Sequence, residues 1–242
     1  MSDKVFISDL HLSAEHPETA SLFKRLLNER LKENDQLYIL GDLFDVWVGD
    51  DDDSPFVAEI KQALRACSDR GIQLFIQHGN RDFLLGKQFM RAVGALPLKD
   101  PYLTRIADEP TLLMHGDTLC IDDHAYMKTR KRLRSVLFKW VFLRKPLTAR
   151  RKIAAEYRQR SGENKRMTAA DIMDANSDEV VRVMNRYQVT QLIHGHTHRP
   201  NVHQHTLKNG ATGKRIVLDE WHGNTASLWI EHNGKLTQES FS

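Results

Sequence analysis

The stretch Val5-Phe6-Ile7-Ser8-Asp9-Leu10-His11 joins a short apolar run to a carboxylate and an imidazole. The run is rich in β-branched and aromatic residues and is too short for a helix, so it predicts a buried strand over 5–8. Asp9 and His11 follow at the point where this strand ends. In α/β proteins, sites form at the carboxyl ends of parallel strands. The stretch therefore predicts both a central strand and the start of a site.

Similar strands alternate with helical patterns along the chain. The predicted helices span 19–31, 56–67 and 179–187. The predicted strands span 5–8, 36–40, 74–77, 111–114, 190–193, 215–218 and 226–230. This alternation predicts an α/β fold with a mainly parallel sheet core.

Composition limits the class of protein. The chain has 242 residues, of which 40% are hydrophobic and 28% charged, with a formal net charge of +3. These values argue against a disordered, collagen-like or integral membrane protein. Cys67 and Cys120 have no CxxC spacing, so we expect reduced thiols rather than a zinc site or a disulfide framework. The start of the chain shows no secretory signal pattern, and a cytoplasmic location is expected.

One stretch, at about 124–174, interrupts the alternation of strands and helices. Its pattern is helical, and residues 128–166 contain fifteen Lys or Arg but only two acids. The rest of the chain is therefore net acidic, which the near-neutral total conceals. An insertion of this length and charge bias is more often functional than a plain connection. The acidic run 50–53, in contrast, is interpreted as a solvated loop.

Metal-ligand side chains follow five of the predicted strands, mostly beside a glycine. They are Asp9, His11, Asp42, Asn80, His115, His196 and His198. Oxygen and nitrogen ligands without thiolate suit Mn²⁺, Fe²⁺, Co²⁺ or Zn²⁺. Asp42 is the natural bridge between two ions, and a pair about 3.5–4 Å apart can hold both oxygens of an in-line displacement at phosphorus. Asp82 and Asp117 are predicted to orient ligand imidazoles.

Together these motifs resemble the calcineurin-like metallophosphoesterase superfamily. The resemblance implies a β-sandwich of two sheets flanked by helices. It also implies one domain over 1–242 with a helical lid inserted at about 124–174. Two Mn²⁺ ions are implied per chain. One would be held by Asp9, His11, Asp42 and His198, and the other by Asp42, Asn80, His115 and His196.

The residue after Asn80 departs from the superfamily pattern. Most members have a histidine there that protonates the leaving oxygen, whereas this chain has Arg81. Arginine, with a pKa above about 12, cannot act as a general acid near neutral pH, but it binds phosphate oxygens through two N–H groups. A phosphate monoester leaving group needs no such proton, whereas an alkoxide does. Arg81 therefore predicts diphosphate hydrolysis.

Within the superfamily, the longer motifs and the basic insertion are similar to the diphosphatases of lipid A biosynthesis. That resemblance implies UDP-2,3-diacylglucosamine as substrate and attack of a metal-bound hydroxide at the α-phosphorus. The products would be UMP and 2,3-diacylglucosamine 1-phosphate. It implies catalytic roles for Asp42, Asn80 and Arg81. The implied substrate contacts are Asn80, Arg81, Asp123, Ser161, Lys165, Thr168 and His196.

The apolar part of the insertion, 137–143, has two interpretations. It either packs as a plain helical hairpin, or it lines an acyl slot or touches the bilayer. Basic residues around it suit anionic headgroups, so we expect peripheral association with the cytoplasmic face of the bacterial inner membrane. Neither a nucleic acid nor an obligate protein partner is expected.

Two rival functions remain open. Another metallophosphoesterase, such as a nuclease or a protein phosphatase, would cleave esters with alkoxide leaving groups, against which Arg81 counts. A catalytically inactive binding scaffold would tend to lose ligands, yet all seven are present.

Overall fold

Two mixed β-sheets pack face to face in the computed structural model, which describes residues 2–167 and 174–242, without the side chains of 160–167. The first sheet has the strand order β11-β10-β1-β2-β3-β4, and the second has the order β5-β6-β7-β9-β8. In the first sheet β1 to β4 run parallel and the antiparallel strands β10 and β11 lie at one edge. In the second sheet β6, β7 and β9 run parallel, and an antiparallel strand lies at each edge. The expected β-sandwich is thus confirmed, and the core of each sheet is parallel as predicted.

The strands of the first sheet are β1 (Lys4–Ile7), β2 (Gln36–Leu40), β3 (Gln73–Gln77), β4 (Ala95–Pro97), β10 (Ala226–His232) and β11 (Lys235–Phe241). Those of the second are β5 (Tyr102–Ile106), β6 (Glu109–Met114), β7 (Gln191–His194), β8 (Asn201–Thr206) and β9 (Thr212–Val217). The helices are α1 (Pro17–Arg25), which continues into a wider π-helical turn (Leu26–Arg30), α2 (Pro55–Asp69), α3 (Lys87–Val93), α4 (His124–Leu133), α5 (Val136–Leu143), α6 (Leu147–Met167) and α7 (Ser177–Tyr187).

The alternation of side chains along the strands divides the buried apolar residues into three layers. Successive side chains of a strand point to opposite faces, and in β1 Phe6 faces the second sheet whereas Val5 and Ile7 face the helices. Phe6 stacks on Tyr38 of β2, and Tyr38 stacks on Phe75 of β3, with ring centroids 5.0 and 4.6 Å apart. Helices α1–α3 cover the outer face of the first sheet, and α7 covers that of the second.

The inserted helices α4–α6 are fastened to the sandwich by arginines. Arg130 on α4 and Arg134, the residue directly after that helix, both reach the buried carboxylate of Asp117. On α6, Arg150 is buried and pairs with Asp51, while Arg151 pairs with Asp52. These contacts fix the insertion beside the carboxyl ends of the parallel strands.

The interpretation of 50–53 as a solvated acidic loop holds for the exposed Asp51 and Asp53 and is wrong for Asp50 and Asp52, which are partly buried. Asp50 accepts hydrogen bonds from the backbone N–H groups of Gly86 and Phe89 and so caps α3 (2.8 and 2.9 Å). Asp51 and Asp52 bind the two α6 arginines. A run of four carboxylates is tolerated because three of them have separate partners.

Helix α5 has two apolar faces with different surroundings. Phe138 and Phe142, four residues apart, stack on each other and pack against the core. Val136, Leu137 and Trp140 are 84%, 71% and 53% exposed. Among the described residues, no helix combines the length and apolar character that crossing a membrane requires.

Candidate metal centre

Five loops bring the predicted ligands together at one edge of the sandwich. Asp9, Asp42 and Asn80 follow β1, β2 and β3 of the first sheet, and His115 and His196 follow β6 and β7 of the second. Because these strands are parallel within each sheet, their carboxyl ends lie side by side.

Most of the ligand candidates have a left-handed backbone, which is uncommon for residues other than glycine. The φ angles of Asp9, His11, Asp42, His196 and His198 are 54°, 47°, 52°, 69° and 53°. Such a conformation costs about 1–2 kcal/mol per residue. It persists where surrounding structure enforces it, which is frequent at functional sites. Here backbone hydrogen bonds from Asp9 to Gly41 (3.1 Å) and from His11 to Asp42 (3.0 Å) hold the first two loops together.

One group of donors comprises Asp9, His11 and His198, whose ligand atoms all lie within 4.8 Å of one another. The Nε2 atoms of His11 and His198 are 3.4 Å apart. Asp9 Oδ1 is 3.5 Å from His198 Nε2.

A second group comprises Asp9, Asp42 and His115, again within 4.8 Å. Asn80 Oδ1 and Asp42 Oδ2 lie 2.9 and 3.8 Å from His115 Nε2. The Nδ1 of His115 donates to the carbonyl of Leu40 (3.0 Å), which turns Nε2 toward the carboxylates. Asp9 is the residue common to the two groups, and the bridging role of Asp42 stays a prediction.

His196 adjoins the second group. Its ring centroid is 5.0 Å from that of His115, and its backbone N–H donates to Asp9 Oδ2 (2.8 Å). All seven predicted ligands are therefore connected through direct contacts or through a shared neighbour.

The buried carboxylates control the electrostatics of the centre. Burial alone would lower the pKa of His115, but Asp42 and Asp9 together raise that pKa to about 9. Burial and the charge of Asp9 raise the pKa of Asp42. Two carboxylates buried side by side strongly favour a nearby cation.

The donor set fits divalent ions. Asp9 Oδ1 is buried and accepts no hydrogen bond from any of the described residues. An orphaned carboxylate oxygen is costly unless a cation or donor meets it. Carboxylate, amide and imidazole donors without thiolate suit Mn²⁺, Fe²⁺, Co²⁺ or Zn²⁺.

Within the described part of the chain, Asp82 hydrogen-bonds to backbone groups rather than to a ligand imidazole, contrary to the prediction. Its two oxygens accept from the backbone N–H groups of Gly79 (2.7 Å) and Leu43 (2.8 Å). Burial and the charge of Asp42 raise the pKa of Asp82 to about 6. The side chain therefore joins the turn that carries Asn80 to the turn that carries Asp42.

Asp117 binds two side chains of the insertion, a role that was not predicted. It accepts hydrogen bonds from Tyr126 Oη (2.7 Å) and Arg130 Nε (2.6 Å). Burial would raise its pKa, but His115 and Arg130 hold that pKa well below its usual range. Asp117 thus fastens α4 beside the site, and the Tyr126 ring comes to 5.9 Å from that of His196.

Arg81 lies at the rim of the centre. Its backbone N–H donates to Asp42 Oδ1 (2.8 Å), and its guanidinium lies 3.4 Å from the buried carboxylate of Asp45. Arg158 of α6 pairs with the other oxygen of Asp45.

The remaining predicted contacts belong to the insertion. Asp123 caps α4 by accepting from the N–H of Tyr126 (2.8 Å). Ser161 and Lys165 lie on α6, but their side chains are outside the described part of the structure, and Thr168 lies outside the described residues altogether.

Glu220 was missed by the sequence reasoning. Its Oε2 accepts from His198 Nδ1 (2.6 Å), and its Oε1 is 3.6 Å from His11 Nε2. Burial would raise the pKa of Glu220, but His198 lowers it. The residue follows β9, so the rule that located the other candidates would have located it too.

Comparisons with known proteins identify the family of the chain. A family model described as calcineurin-like phosphoesterase matches residues 5–200. The chain is 47% identical over 230 residues to a protein of Pseudomonas fluorescens (strain Pf-5) named UDP-2,3-diacylglucosamine hydrolase, covering 95% of this chain and 92% of that one. A protein of the same name from Pseudomonas aeruginosa (strain PAO1) is 46% identical, covering 95% of both chains.

Among solved structures, vacuolar protein sorting 29 from Cryptosporidium parvum is 15% identical and covers 100% of this chain and 98% of its own, with a TM-score of 0.42. The match over residues 5–200 and the identity to the two Pseudomonas proteins show that the chain belongs to the calcineurin-like phosphoesterase family.

Proposed function

We propose that the protein hydrolyses the pyrophosphate bond of UDP-2,3-diacylglucosamine, giving UMP and 2,3-diacylglucosamine 1-phosphate, a step of lipid A biosynthesis. The names of relatives at 46–47% identity support this substrate. The reaction type rests on the position of Arg81, whose backbone N–H donates a hydrogen bond to Asp42 within the donor cluster. An arginine beside the centre favours cleavage in which the leaving phosphate needs binding rather than a proton.

The seven donors Asp9, His11, Asp42, Asn80, His115, His196 and His198 would hold two divalent ions, with Mn²⁺ as the proposed metal. When bound, such ions lower the pKa of water to near neutrality and neutralise charge on phosphate oxygens. Asn80 and His196 would contact the phosphate, and the Arg81 guanidinium would hold the oxygens of the leaving phosphate. The ion pair with Asp45 keeps that guanidinium oriented along the rim.

The chain is proposed to be a single domain over 1–242 in which residues 124–174 form a lid. Asp45 supports this arrangement because it pairs with both Arg81 at the centre and Arg158 on α6. Substrate contacts by Asp123, Ser161, Lys165 and Thr168 belong to the same proposal.

The exposed face of α5 is proposed to touch the cytoplasmic face of the bacterial inner membrane. Val136, Leu137 and Trp140 are exposed, and the guanidinium of Arg144 lies 3.5 Å from the Trp140 ring centroid. A tryptophan side chain has an apolar body and a polar N–H group, and such a side chain suits the headgroup region. Each basic residue near an anionic surface adds about 1 kcal/mol of attraction.

The test is release of UMP from UDP-2,3-diacylglucosamine by the purified chain. Activity is expected with Mn²⁺ and is expected to disappear with EDTA. Arg81→His should lower kcat/KM on this substrate by about 10-fold or more, because a hydrogen bond to a charged group contributes about 1.5–3 kcal/mol. Arg81→Lys should retain part of the phosphate binding, because it keeps the positive charge.

A parallel assay on single-stranded DNA distinguishes the proposed activity from that of a nuclease, the main rival. Cleavage of the DNA without release of UMP would replace the proposed function by a nuclease. Unchanged kcat and KM in Arg81→His would refute the role of Arg81 but would not affect the assignment of the substrate.

A further inference from the structure

Glu220 lies behind His198 as seen from the donor cluster. His198 Nε2 faces Asp9 Oδ1 (3.5 Å) and His11 Nε2 (3.4 Å), so Nε2 is the atom that points into the cluster. The opposite ring nitrogen, Nδ1, donates to Glu220 Oε2 (2.6 Å). One carboxylate therefore determines which nitrogen of His198 carries a proton when the ring is neutral.

The Glu220 side chain is itself held in place. The same Oε2 lies 2.9 Å from His222 Nε2, and Oε1 lies 3.6 Å from His11 Nε2. The His222 side chain is 76% exposed, whereas that of Glu220 is 21% exposed. Glu220 is thus fixed between an imidazole inside the site and another at its outer edge.

We propose that Glu220 is a positioning residue that locks His198 in the tautomer and orientation in which Nε2 is free to bind a divalent ion. A carboxylate on the far nitrogen of a ligand imidazole raises the basicity of the coordinating nitrogen and fixes the ring. Glu220 is not one of the close donors of the Asp9–His11–His198 group, which separates its role from direct ligation. The inference rests on the metal site proposed above.

The first measurement is a Mn²⁺ titration of the full chain, stripped of metal, followed by the electron paramagnetic resonance of free Mn²⁺. Glu220→Ala should weaken binding of the ion that contacts His198 by about 10–100-fold, the loss typical when such a partner is removed. Glu220→Gln keeps an oxygen that accepts from Nδ1 and should lose less than Glu220→Ala. Glu239→Ala, on the exposed strand β11, is the matched control and should bind Mn²⁺ as the wild type does.

The second measurement separates positioning from general stability. In ¹⁵N-histidine spectra of Zn²⁺-loaded protein, His198 should show a protonated Nδ1 in the wild type and in Glu220→Gln. Glu220→Ala should lose that signature or exchange its proton faster. If Glu220→Ala does not fold, the Mn²⁺ affinity of Glu220→Gln decides: it should fall below that of the wild type because the amide keeps the shape but lacks the charge of the carboxylate, and an unchanged affinity would overturn the role of Glu220.

The possible results separate the role of Glu220 from the existence of the metal site. Wild-type affinity for Mn²⁺ and an unchanged His198 spectrum in both Glu220 variants would overturn the role of Glu220 and leave the metal site standing. A wild-type chain that binds no Mn²⁺ would overturn the metal site and this inference together.

Discussion

Arg150 and Arg151 are neighbours on α6 with opposite surroundings, and replacing each by alanine tests how the insertion is held. Arg150 is 2% exposed and donates to the carbonyls of Val48 (2.6 Å) and Lys145 (2.9 Å) as well as to Asp51. The Arg151 side chain is 45% exposed, and its partner among the described residues is Asp52.

The expected magnitudes follow from these contacts. A hydrogen bond to a charged group contributes about 1.5–3 kcal/mol, and a buried carbonyl left without a donor costs about 1–3 kcal/mol. The carboxylate of Asp51 is 60% exposed, so its pairing adds about 0–1 kcal/mol. Arg150→Ala should therefore lower the free energy of unfolding by about 3–5 kcal/mol. Arg151→Ala, which loses an exposed ion pair, should cost about 0–1 kcal/mol.

The assay combines urea denaturation with limited proteolysis under native conditions. Arg150→Ala should shift the urea midpoint and expose α6 to protease, whereas Arg151→Ala should behave like the wild type in both. Equal losses in the two variants would refute the argument, because they would show that net charge rather than burial governs the attachment of α6.

Three further predictions concern other parts of the molecule. Burial raises the pKa of the Asp100 carboxyl from 3.8 to about 6, so the contribution of this group to stability is present below pH 4 and is lost as pH rises through 6. In urea titrations, Asp100→Asn should therefore have a free energy of unfolding about 2–3 kcal/mol above that of the wild type at pH 8 and equal to it at pH 4. A difference that does not depend on pH would contradict this. Asp82→Asn sets an amide N–H₂ against a backbone N–H and should cost about 1–3 kcal/mol; an unchanged urea midpoint would count against the link between the two turns. Trp140→Ser should weaken flotation with phosphatidylglycerol vesicles, whereas Leu103→Ser, similarly exposed on β5, should not; equal effects would remove the role of α5.

The central strands were predictable because burial leaves a pattern in them. In β1 and β2, apolar residues continue through both faces, which is typical of strands covered on each side. Strands β8 and β11 were missed, since their sequences are polar and their side chains largely exposed. Their strand conformation depends on pairing with β9 and β10, which no local pattern records.

The candidate centre was predictable to the extent that its residues follow strands. Asp9 follows the predicted strand 5–8, and His115 follows the predicted strand 111–114. The remaining ligand candidates were expected from the same combination of strand end and family motif. The roles of Asp82 and Asp117 could not be predicted, because both carboxylates find donors far along the chain or on a helix of the insertion. Glu220 follows β9, so its place at this edge was predictable, but its contact with His198 depends on how β9 lies beside β7.

The loops at the edge of the sandwich also connect its two sheets. Asp9, which follows a strand of the first sheet, accepts backbone hydrogen bonds from His196 and Trp221, which follow strands of the second. His11 and His198, whose ring nitrogens lie 3.4 Å apart, are separated by 187 residues of chain. Closing a loop of that length in the unfolded chain has a large entropic cost. An ion held between these rings would therefore act as a cross-link, and it would favour the docked sheets over any state in which one sheet has formed without the other.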